Sequence, residues 1–147
     1  MSFFGKVFGE GSDIIALDQQ ESFAGVLYAI ISADGTITEE EDEDFMTMVF
    51  RSKIMEDVTK QRWRNIMAKM NKLMSKGGAE ALVNLAVQNI PSHLRASVFC
   101  YACELVFTDG HAHMNEQKVL DIIKRELQIE DDFAYKVAEV VMVKSKL

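Results

Sequence analysis

The chain has 147 residues, 48% of them hydrophobic and 27% charged, with 16 Lys and Arg against 23 Asp and Glu for a net charge of −7. One domain of ordinary globular composition is expected, long enough to bury a core without disulfide or metal staples. The acidic balance argues against a protein that coats nucleic-acid phosphates, and one Pro with eight Gly argues against a turn-rich β-sandwich.

Residues 1–17 read as a loosely attached leader carrying Phe3, Phe4, Val7 and Phe8, and residues 18–147 as a single helical domain. Apolar residues recur at spacings of three and four, clearest at Trp63, Ile66, Met67, Met70, Leu73 and Met74, and strand-like alternation is absent. That period predicts an all-α bundle of about seven helices. In chain order they are about Asp18–Ser32, Thr38–Ser52, Val58–Ser75, Ala79–Asn89, Ser92–Thr108, Asn115–Leu127 and Asp131–Lys144. Gly77-Gly78 ends the third, and Pro91 opens the fifth. The fifth is apolar nearly all round, from Leu94 to Phe107, so it is expected at the centre of the domain with the others packed around it.

The net charge is local. Asp34, Glu39, Glu40, Glu41, Asp42, Glu43 and Asp44 fall in eleven residues with no base, and without them 16 acids balance 16 bases. The segment also has an echo. Leu27–Gly35 and Ala102–Gly110 each end an apolar helix in Asp-Gly, 75 residues apart, and each Asp is followed seven residues later by a Glu, Glu41 or Glu116. Two copies of helix, Asp-Gly turn and helix predict a pseudo-two-fold domain.

Turn chemistry alone accounts for these residues. Glycine at a positive φ ends a helix. Thr38 and Glu41 have the spacing of a capping box, and acids in a first helical turn are favoured by the helix dipole. The same acids are also the oxygen donors that hard cations such as calcium or magnesium select. Asp34, Gly35, Ile37 and Glu41 fit positions five, six, eight and twelve of an EF-hand loop, but Ile30 and Ser32 then stand at positions one and three. These cannot supply the missing carboxylates, so a different oxygen-rich site is expected, drawing on Asp34, Glu39, Glu40, Glu41, Asp109 and Glu116. His111 and His113, beside Asp109, are exposed turn residues or ligands for a transition metal.

Other features carry weaker signals. The third helix is basic, with Arg62, Arg64, Lys69 and Lys72 as a candidate partner or membrane surface, or simply a solvated face. Cys100 and Cys103 lie mid-helix, where burial raises thiol pKa values, and so read as core. Glu104 is the lone acid of the fifth helix, on a polar stripe with Ser97, Tyr101 and Thr108. No phosphate loop or nucleophile–base pair is present, so no enzyme is expected. No stretch reaches the roughly 20 apolar residues of a bilayer span, and the opening lacks the pattern of a signal peptide. A cytoplasmic protein with reduced thiols is the expectation.

Asp-Gly-x-Ile-x-x-x-Glu at Asp34–Glu41, echoed by Asp-Gly-x-Ala-x-x-x-Glu at Asp109–Glu116, resembles the TerB family of tellurite-resistance proteins. The helix endings before each turn and the opening Met1–Val7 are similar to that family's, and the resemblance spans about residues 18–140. It implies a non-enzymatic, all-helical stress-response module. It also implies divalent-metal binding, calcium in particular, through Asp34, Glu41, Asp109 and Glu116. The partners it implies are membrane and stress proteins at the inner membrane surface. The second turn departs from the pattern, with His111, Ala112, His113, Met114 and Asn115 where a more acidic stretch is expected. The alternative to this reading is a metal-free adaptor that binds partners through its acidic and basic faces.

Overall fold

Asp18 and Glu21 start the first helix, α1 (Gln19–Ile31), through a reciprocal cap. The Asp18 carboxylate accepts from the Glu21 amide at 2.8 Å, and the Glu21 carboxylate accepts from the Asp18 amide at 3.1 Å. Two amides that the helix cannot satisfy internally are thereby paired. The computed structural model describes residues 16–35, 37–107 and 113–147. Across these, α1 is followed by α2 (Glu39–Phe50), a 3-10 turn (Lys53–Met55), α3 (Lys60–Val87), α4 (Ser92–Val106), α5 (Met114–Glu126) and α6 (Asp131–Lys144). The architecture is an all-helical bundle, with no strand among the described residues.

The central helix is α1, not α4. Every residue from Glu21 to Ile31 is buried, and α1 packs against α2, α3, α4 and α5, most extensively against α3. Gly25 permits that close crossing, since a Cβ there would sit 3.0 Å from the Met70 sulfur. The expectation of a central fifth helix is thus corrected. That helix, α4, buries Val98, Phe99, Ala102, Cys103, Leu105 and Val106 but leaves Ala96 and Ser97 exposed and Cys100, Tyr101 and Glu104 half-buried. Its outer side carries Ala96, Cys100 and Tyr101, which raise its apolar count without requiring burial on every side.

The third and fourth expected helices run together as α3. Gly78 stands between them with φ 80° and ψ −177°. This is a conformation only glycine adopts cheaply, so the chain bends at one residue and needs no loop. At the far end, Leu127 closes α5 with Gln128 at φ 58°. The Ile129 amide donates to the Lys124 carbonyl and the Gln128 amide to Arg125, a Schellman arrangement with glutamine in the place glycine prefers.

The last helix, α6, packs on α4 and buries no residue fully. No helix of the described residues is long and apolar enough to cross a membrane. The leader, with Phe3, Phe4, Val7 and Phe8, lies outside the described residues apart from its last two positions, and so do Asp109 and His111.

Candidate cation site

The first Asp-Gly turn is built by the end of α1. Gly35 takes φ 85°, its amide donates to the Ser32 carbonyl at 3.0 Å, and the Ser32 hydroxyl donates to the Tyr28 carbonyl at 2.7 Å. Thr38 then caps α2. Its hydroxyl oxygen accepts from the Glu41 amide at 3.1 Å and donates to the Glu41 carboxylate at 3.1 Å. Glu41 therefore answers the Thr38 side chain rather than its backbone amide. Asp44 lies three residues on, one turn further along the same face of the helix.

These elements meet α5. Ile31, Asp34, Glu41, Asp44, Leu105, Val106, His113 and Glu116 line one cavity of about 150 Å³. The Asn115 side-chain amide donates to the Asp34 carboxylate at 2.9 Å, tying the α1 turn to the start of α5. Four carboxylates from three elements thus face a small space floored by Ile31, Leu105 and Val106, with no Lys or Arg among the lining residues. Mutual repulsion of such charges is relieved by a cation.

Of the expected ligands, Asp34, Glu41 and Glu116 line this cavity and so does His113. Glu39 and Glu40 are exposed on the first turn of α2 and do not. Asp109 and His111 fall outside the described residues. Asp44 was missing from the expected set, although its three-residue spacing from Glu41 carries the signal. Among the described residues, no three His, Cys, Asp or Glu side chains converge tightly enough to hold an ion directly. The donors gathered here are carboxylate oxygens, the type hard cations select, but they do not form a direct ligand set.

The basic residues divide. Arg62 bonds Asp18, and Lys69 lies 2.8 Å from the Glu21 carboxylate, which Arg62 approaches at 3.9 Å. These two bases thus clamp the α1 cap to α3. Arg64 and Lys72 are exposed and make no ion pair with a described residue.

Glu104 closes a second contact. Its carboxylate meets Lys144 at 2.8 Å and Arg51 at 3.3 Å, joining α4 to α6 and to the end of α2. Burial pushes this carboxyl up, but the hydrogen bond and charge of Lys144, with Arg51, hold it below its usual value. Cys103 is buried, and burial with the neighbouring Cys100 pushes its thiol up to about 12. Burial and then the Glu104 charge raise the Cys100 thiol as well.

Fold and cavity together define a small all-helical domain with an acid-lined recess where the end of α1 meets two helix starts. The profile of the family described as Tellurite resistance protein TerB matches residues 20–137. The chain belongs to the TerB family. Comparisons with curated proteins and with solved structures find no match.

Proposed function

We propose that this TerB domain is a non-enzymatic stress-response module of tellurite resistance. It binds a divalent cation, calcium or magnesium, at the acid-lined recess and scaffolds a membrane-associated complex. The observation that carries the cation reading is the gathering of Asp34, Glu41, Asp44 and Glu116 from α1's turn, α2 and α5 around one cavity. The ion keeps part of its water, and the carboxylates bind it partly through that water. Membrane association runs through a partner or a surface contact, not a spanning helix of the described residues.

Calorimetric titration with calcium and with magnesium tests this. Saturable heat is expected, and Asp34→Asn with Glu41→Gln abolishes it. No heat at millimolar ion, or heat the double variant leaves unchanged, overturns the cation reading.

A cation-independent adaptor is the second reading, favoured by the exposed Arg64 and Lys72. A salt-sensitive partner interaction indifferent to chelator selects it.

A further inference from the structure

On the face of α2 turned away from Glu41 and Asp44, Met46 and Phe50 join Val58 and Trp63 to form an apolar groove of about 410 Å³ rimmed by Lys60 and Arg64. Trp63 is its floor. It is only 7% exposed and held edge-on to Phe50 at a centroid distance of 5.1 Å, whereas Met46 at the wall is 37% exposed. The size is that of a small ligand pocket.

The rim is electrostatically incomplete. Helix α3 opens with Lys60, Arg62 and Arg64 and no acid in its first turn, although the helix dipole places positive charge there already. Arg62 is answered by Asp18, but Lys60 and Arg64 make no ion pair with any described residue. They stand four residues apart on one face of α3, beside Trp63.

We infer that this groove docks an acidic amphipathic segment of a partner protein, which inserts an apolar side chain over Trp63 and sets Asp or Glu against Lys60 and Arg64. A recessed apolar floor accepts an inserted anchor, as helix-in-groove recognition requires. A lipid surface is instead met by protruding apolar side chains. Charge complementarity supplies orientation and a fast encounter, and the buried anchor supplies most of the affinity. The groove gives the scaffolding half of the proposed function a place on the molecule and does not depend on the cation.

The test is a selection of random displayed peptides against the full chain, read by Trp63, the only tryptophan of the protein. Enriched peptides are expected to combine Asp or Glu with Leu, Ile or Phe and to shift Trp63 emission. They should bind Lys60→Glu with Arg64→Glu at least ~10-fold more weakly, a loss of two charge contacts. They should bind Lys136→Glu and Asp34→Asn with Glu41→Gln unchanged, which separates this site from the cation site. Both positions are exposed on α3, so thermal unfolding will show the double variant folded. No enrichment, peptides without acids, or binding that survives the reversal overturns the proposal. An emission shift with phosphatidylglycerol vesicles but with no peptide also overturns it and assigns the groove to lipid.

Discussion

Asn115, at the start of α5, donates to the Asp34 carboxylate at 2.9 Å across 81 residues of sequence. This bond orients an acid of the first Asp-Gly turn by a residue that follows the second, so the recess is assembled by long-range packing. Asn115→Ala removes one partly solvated, charge-assisted bond and should cost about 0.5–1 kcal/mol of stability. It should also weaken the calorimetric cation response, because Asp34 loses the side-chain hydrogen bond that ties it to α5. An unchanged cation affinity would show that Asp34 needs no such orientation.

Glu21 is the largest electrostatic commitment of the core. Its side chain is 9% exposed, caps α1 and meets Lys69 at 2.8 Å. Glu21→Gln keeps the cap but leaves Lys69 uncompensated. Since Lys69 retains 35% exposure, the loss should be about 2 kcal/mol, below the value for fully buried pairs. Denaturant unfolding checks this, and Lys69→Glu should be worse than Glu21→Gln.

Glu104 makes stability depend on pH. Its folded pKa lies below that of an ordinary glutamate, so its contribution is fully present above the unfolded pKa and is lost as pH falls through the folded one. Thermal unfolding of the wild type and Glu104→Gln from pH 7 downward should show a stability gap that narrows in acid. A gap independent of pH would mean Lys144 and Arg51 do not stabilise the carboxylate.

Gln128 occupies the left-handed position after α5. Gln128→Gly removes the Cβ strain of that conformation while keeping the Schellman bonds, and should stabilise the protein by about 0.5–1 kcal/mol. A raised midpoint in denaturant with unchanged slope is the expected signature.

Cys103, with its thiol pushed up to about 12, should have a thiolate fraction at pH 8 roughly a thousandfold below that of an ordinary cysteine. Alkylation of the folded protein should therefore label Cys100 slowly and Cys103 only on unfolding. Rapid modification of both would show that the core does not shield the pair.

The class of fold was legible because it rests on local periodicity. Trp63, Ile66 and Met70 are buried as their spacing required, and the α2 start follows from Thr38 and Glu41 alone. The break at Gly78 was also written in the chain, since its neighbour pair has the residue type that a positive φ demands. The hub was not legible. A helix-by-helix count of apolar residues favours α4, whereas centrality depends on which helix the others share, and α1 wins by being buried from Glu21 to Ile31.

The sequence by itself determined the acids, their concentration at one turn and the helices that carry them, because capping, period and charge are properties of neighbours along the chain. Only the tertiary structure decided which acids act together. It drew Asp44 into the recess with Asp34, Glu41 and Glu116, and left Glu39 and Glu40 in solvent. It likewise spent Arg62 and Lys69 on the α1 cap and left Lys60 and Arg64 beside an apolar groove. The physical reason is the same in both cases. The face on which a side chain sits follows from helical spacing, but what that face meets follows from how helices distant in sequence pack.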